Sequence, residues 1–251
     1  MGDTTKIPLV SSEISGLWNS YMGDSLSICV LKFFINTVED SETLSILQSS
    51  LDLSNQHIKL LTDFFNQAEL TLPDGFADKD INLNAPRLFS DEFYLLYLSN
   101  MARGEMLKYT QILSNCARKD IRDYFTKLVN ESSDLYNRVA DLRLSKGIFT
   151  SILMDENIPI PSTPYSSVTD STIAPFSEKL MMFHVSALGT MSISNDGMAI
   201  SETLRSDLVT NYMRILTEAM SYAKDGANIM IENKWLEQQP IAIEHRNLVG
   251  V

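Results

Sequence analysis

The stretch APRLFSDEFYLL, residues 85–96, decides the fold because it returns as APFSEKLMMF at residues 174–183. From Phe89 and Phe176 onward the two copies align at an offset of 87 without a gap. Arg118 falls on Arg205, Asp120 on Asp207, Phe125 on Tyr212, Glu131 on Glu218 and Phe149 on Leu236. Self-similarity of this length means that one helical unit is used twice. Each copy also carries the same helix start. Phe89 or Phe176 precedes a serine N-cap, Ser90 or Ser177, acids follow in the first turn, and Tyr94 or Met181 is placed to receive the preceding ring as a staple.

Upstream of the first copy lie two further helical patterns. Residues 12–37 place Leu17, Tyr21, Ile28, Leu31 and Ile35 at three- and four-residue spacings. A second run, capped by Asp40 or Ser41, carries Leu47, Leu51, Ile58, Leu61 and Phe65 on one face to about Asn66. The short join between them predicts an antiparallel hairpin. Residues 70–88 hold two prolines, a Pro-Asp-Gly turn signal and no helical period. Extended, such a segment spans the roughly 38 Å of a 25-residue helix, so it reads as a crossover along the outside of a bundle. A third helix follows to about Ser114, then a fourth over residues 119–145 with Ile121, Phe125, Leu128, Leu135, Val139 and Leu142 as its stripe and Gly147 as its stop. Hairpin, long crossover, hairpin is the connectivity of an all-α, ferritin-like four-helix bundle, here complete within residues 1–149.

Residues 150–251 read as a partial second copy. Residues 151–161 (SILMDENIPIP) look like the end of a second helix entering its crossover, residues 162–174 form the strap, and helices follow at 177–201 and 205–233. The tail from Pro240 reads as irregular. No hairpin precedes this pair, yet Leu180, Phe183, Leu188, Tyr212, Ile215, Tyr222 and Ile229 give it broad apolar faces that need cover. The expected partner is a second copy of the chain, two half repeats building one bundle around a two-fold axis. Packing on the first bundle, or a segment missing at the junction near Thr150, are the alternatives.

Composition narrows the function classes. A formal charge of −12 argues against a nucleic-acid backbone or an anionic membrane surface as partner. The longest apolar run, residues 27–36, is interrupted by Lys32 and is too short to span a bilayer. The N-terminus lacks the layout of a signal peptide, and Lys6 stands where a myristoylation signal needs Ser or Thr. Cys29 and Cys116 fit no metal or redox spacing and read as reduced thiols of a cytoplasmic protein. Nucleophile elbows, phosphate loops and dinucleotide fingerprints are missing. These features point to a non-enzymatic, self-associating or interaction protein with no cofactor.

Polar residues on apolar helix faces are the candidate chemistry. Asp24 shares a face with Leu17 and Leu31, His57 with Leu53, Leu60, Leu61 and Phe64, and Glu131 flanks Leu128 and Leu135. A carboxylate, an imidazole and a carboxylate thus point from three helices into one interior, where a bundle can hold a transition metal. The Glu-x-x-His pairs of di-iron bundles are not present, since Ser54 precedes His57 and Met181 precedes His184 at that spacing. The competing expectation is a hydrogen-bonded Asp24–His57 pair that fixes helix register. His184 reads as a buried or interface histidine and His245 as a solvated tail residue. Met181, Met182, Met191, Met198, Met213, Met220 and Met230 suit a core first and an association surface second.

Four strings carry a resemblance: LWNSYMGDSLSICVLKFF (17–34), NLNAPRLFSDEF (82–93), VTDSTIAPFSEKLMMFH (168–184) and YAKDGANIMIENKWLEQ (222–238). They are similar to the domain-of-unknown-function family 3231 of spore-forming bacilli. The resemblance implies two copies of a ferritin-like helical unit, from which the half copy departs. It implies no activity, and only the family's distribution points to sporulation or stress packaging.

Overall fold

Helices α1 (Ser11–Thr37) and α2 (Ser41–Gln67) form the first hairpin, turned by three residues and closed by Asp40, whose Oδ1 accepts the Thr43 amide at 2.8 Å. Their contact runs from Trp18 and Tyr21, edge-on to Phe65 at 6.2 and 6.5 Å, to the turn. The computed structural model describes residues 7–148 and 174–241, and everything below concerns those residues. The readings placed on residues 149–173, including the junction near Thr150 and most of the second strap, and on His245 and the rest of the tail after residue 241, lie outside them.

The segment after α2 runs outside the hairpin, as its composition predicts. Gly75, at φ +63°, sits against Ser25 and Tyr21, where a Cβ would come within 2.8 Å of the Ser25 Oγ. Further on, the Cys29 thiol donates to the Ala77 carbonyl at 3.5 Å, Lys32 pairs with Asp78 at 2.6 Å, and Asn36 donates to the Leu83 carbonyl at 2.8 Å. Both numberings rise together, so the strap climbs parallel to α1 toward its C-terminal end. This explains why α1 is buried on nearly every side, from Leu17 and Trp18 to Cys29, Phe33 and Phe34. A helix covered all round needs no polar face.

The strap delivers the chain to α3 (Asp91–Leu113). Ser90 caps it by accepting the Phe93 amide at 3.2 Å. Phe89 stacks on Phe93 at 4.5 Å and meets Tyr94 edge-on at 6.5 Å, which widens the expected staple by one ring. Tyr94 is wholly buried, stacked on Phe34 at 4.2 Å, and its hydroxyl shares a 2.6 Å hydrogen bond with Thr37. Helix α4 (Lys119–Ser145) returns antiparallel. Its start is capped from α1 by Glu13, fully buried, whose Oε1 accepts the Ala117 and Arg118 amides at 2.8 and 2.7 Å.

Helices α5 (Glu178–Glu202) and α6 (Ser206–Glu232) make the last hairpin. The limits of α6 lie 87 residues beyond those of α4 at both ends, and the terminal devices repeat too. Arg118 forks onto Asp120 and Arg205 onto Asp207, each pair at 3.1 and 2.6 Å. Past the C-termini, Gly147 and Lys234 both adopt the left-handed conformation, at φ +70° and +59°. The amides that follow, Ile148 and Trp235, close on the Arg143 and Met230 carbonyls at 2.8 Å. The described residues thus form six α-helices and no strand, a helical bundle with an internal repeat. They divide into two compact units, one holding α1–α4 and the other, Phe176–Gln238, holding α5 and α6.

Candidate functional site

The three residues singled out on apolar faces do meet inside the α1–α4 unit. His57 lies between the two carboxylates: its Nδ1 is 3.2 Å from Asp24 Oδ1, and its Nε2 is 3.0 Å from Glu131 Oε2. Asp24 and His57 are buried, and Glu131 is half-buried and also paired with Lys127 at 3.5 Å. Burial alone would push the imidazole toward its neutral form. Hydrogen bonds to Asp24 and Glu131, and their charges, more than reverse this and raise the His57 pKa to about 9. His57 is therefore an imidazolium at neutral pH, donating from both ring nitrogens. Burial works against Glu131 as well, but its bond and charge contact with His57 hold its pKa below the ordinary value.

This geometry brings Asp24, His57 and Glu131, the residues of the metal expectation, within hydrogen-bond distance of one another. The two ring nitrogens of His57 face carboxylates on opposite sides of the ring. Among the described residues no group of three or more His, Cys, Asp or Glu side chains is arranged to hold a metal ion. The trio forms a salt-bridged link joining α1, α2 and α4. It contains the Asp24–His57 pair that buried-polar reasoning anticipates and extends it by Glu131.

Beside this link lies a cavity of about 50 Å³, lined by Asp24, His57, Glu131 and a third carboxyl residue, Glu105 of α3, among others. Burial first, and then the nearby Asp24 charge, raise the Glu105 pKa to about 7. Its Oε2 accepts a hydrogen bond from Ser132 at 3.2 Å. Sequence reasoning missed Glu105, although the signal was available: it follows Leu98 by seven residues and Met101 by four, the pattern that identified Asp24. Glu13 was missed for a different reason, because its partners are backbone amides that no side-chain pattern reveals.

The remaining candidates separate. The echo of Glu131, Glu218, is exposed and paired with Arg214 of its own helix at 2.7 Å. His184 is half-buried, and burial lowers its pKa. Both thiols are free, with Cys29 buried and Cys116 half-buried. Burial raises each to about 11, aided by the charge of Asp80 at Cys29 and of Glu13 at Cys116. Neither is an activated nucleophile at neutral pH. The methionines of the half copy depart from the core expectation, since Met230 is buried but Met181, Met198, Met213 and Met220 are exposed. No described helix is long and apolar enough to cross a membrane.

The comparisons with known proteins agree on fold and are silent on chemistry. A crystal structure from Bacillus halodurans C-125, described as a putative spore coat protein, superposes with a TM-score of 0.55 at 17% identity. The alignment covers 61% of this chain and 99% of that one. No curated protein matches the chain. The family model for the protein of unknown function DUF3231 matches twice, over residues 2–151 and 148–248. Matched over almost its whole length, the chain belongs to the DUF3231 family.

Proposed function

We propose that this chain is a non-enzymatic, self-associating structural protein, and that its α5–α6 pair is completed by the same pair of a second copy. One observation carries the reading. Positions that are sealed in α3 and α4 stand open at their repeats in α5 and α6: Tyr94, Ile121 and Leu128 are each 0% exposed, whereas Met181, Leu208 and Ile215 are 40%, 37% and 40% exposed. In the first unit α1 and α2 provide the cover. A two-fold pairing of α5–α6 hairpins supplies four helices with the same apolar positions inward, which is a closed, isologous solution. The exposed methionines suit such a surface, because flexible thioethers adapt to an imperfectly matched copy.

The cellular setting proposed is a spore- or stress-related assembly in the cytoplasm. Support comes from the family and from a fold relative described as a putative spore coat protein. The test is mass in solution by light scattering across a dilution series. The expected species has twice the 28.2 kDa chain mass. A monomer at every concentration removes the proposal.

Metal content tests this proposal against the alternative, the ferritin-like metal reading. Protein purified without chelator should hold less than about a tenth of an equivalent of any transition metal, because loading His57 requires removing a proton that Asp24 and Glu131 stabilise. Stoichiometric metal would restore that reading.

A further inference from the structure

Helices α2, α4 and α6 are each 27 residues long, so their positions can be compared one for one. Within the first unit α2 and α4 run antiparallel, and three contacts fix their register. Arg138 donates to Ser49 Oγ at 3.3 Å, His57 meets Glu131 at 3.0 Å, and the rings of Phe64 and Tyr124 lie 5.3 Å apart. Helix α6 carries residues at both sets of positions. The places of Ser49, His57 and Phe64 are held by Arg214, Tyr222 and Ile229, and those of Arg138, Glu131 and Tyr124 by Asp225, Glu218 and Asn211. All six are exposed. One helix thus holds both halves of a seam, and the halves are complementary: a guanidinium falls opposite a carboxylate and a phenol hydroxyl opposite another.

We infer that α6 packs antiparallel on α6 of a second copy in the register of α2 on α4, an inference that rests on the self-association reading and fixes its seam. Arg214 then faces Asp225 of the other copy, Tyr222 faces Glu218, and Ile229 faces Asn211, each pair formed twice about the two-fold axis. Arg214 already holds Glu218 of its own helix at 2.7 Å, and a guanidinium has donors left for a second carboxylate. Glu218 repeats the setting of Glu131, which also has a cation four residues before it, Lys127 at 3.5 Å. The Tyr222 hydroxyl supplies the donor that His57 gives to Glu131. A parallel pairing is disfavoured, because it would set Arg214, Glu218 and Asp225 each against its own like charge.

The test uses full-length chains, with light scattering reading the dimer independently of its seam. Asn211→Cys and Ile229→Cys chains are co-expressed and treated with a short thiol–thiol crosslinker, the unsubstituted protein being the reference for Cys29 and Cys116. The mixture should give a covalent dimer, and neither variant alone should, because the two copies of position 211 lie about 27 Å apart along an antiparallel seam. Asp225→Arg should weaken dimerisation at least about tenfold, since two ion pairs become two repulsions. Adding Arg214→Asp to the same chain should restore it. Positions 214 and 225 are about 16 Å apart along one helix, so this rescue reads contact between chains. A dimer that crosslinks Asn211→Cys to itself, gives no mixed crosslink, or is not rescued by the swap overturns the seam and leaves self-association standing. A monomer at every concentration removes both.

Discussion

Tyr94 and Met181 occupy the same place in the two copies of one repeat, at the fourth residue of a helix capped by serine. Tyr94 is stacked under Phe34 and wholly buried, whereas Met181 is exposed. The local structure around them is nearly identical, down to the arginine forks and the left-handed residues that end α4 and α6. The difference lies in what packs on top. Local instructions are thus enough to build each hairpin, and burial is decided by a second hairpin that only one unit has within the described residues. The same contrast appears among the polar groups. Glu131 joins three helices through His57, while Glu218 has only Arg214, one turn away on its own surface.

The strongest way to break this comparison is to place a charge at equivalent positions. Leu128→Asp buries an unpaired carboxylate and should unfold the α1–α4 unit, a loss of at least about 4 kcal/mol. Ile215→Asp, 87 residues on, should leave the helical content and thermal midpoint of that unit unchanged and shift the solution mass to monomer. If both variants unfold alike, or if Ile215→Asp remains dimeric, the two units do not differ as described. Circular dichroism melts and light scattering read both outcomes.

A smaller effect sharpens the polar contrast. His57 holds its proton more tightly in the folded chain, with a pKa of about 9 against an ordinary 6.5. Its stabilisation is therefore complete below about pH 6.5 and is lost as the pH rises through 9. Glu131, with a lowered pKa, contributes in the opposite limb: present above its ordinary 4.5 and lost as the pH falls through its folded value. Urea unfolding of His57→Gln should show a deficit of about 2–4 kcal/mol at pH 6 that largely closes by pH 10. Arg214→Gln, which breaks the surface counterpart, should cost no more than about 0.5 kcal/mol at either pH. A deficit for His57→Gln that is constant with pH would mean lost packing rather than a lost ion pair.

The smallest effect concerns the helix ends. Gly147 sits at φ +70° with open space where a Cβ would go, so Gly147→Ala meets backbone strain alone and should cost about 1 kcal/mol. Lys234 already bears that strain at φ +59°, so Lys234→Gly should stabilise α6 by up to about 1 kcal/mol. Equal and opposite shifts in thermal midpoint would establish the two ends as one motif. Shifts of the same sign would separate them.

Much of this molecule was legible in its residues. Periodicity, the serine and aspartate caps, and the 87-residue offset placed α4 at its observed limits and the other helices within a residue or two. The two prolines and the turn signal of residues 70–88 sufficed to read a strap, because no regular element can accommodate them. The same face-counting brought Asp24, His57 and Glu131 to one interior. These are local properties, written in spacings of three, four and seven. Tertiary structure alone decided how those side chains face one another. His57 turns its two nitrogens to carboxylates on opposite sides and is held as a cation between them, an outcome set by ring orientation across three helices. Glu13 likewise became a cap for a helix more than a hundred residues away, and the apolar faces of α5 and α6 were left open. Burial is a property of neighbours, and a sequence names its neighbours only where the chain is short enough to turn back on itself.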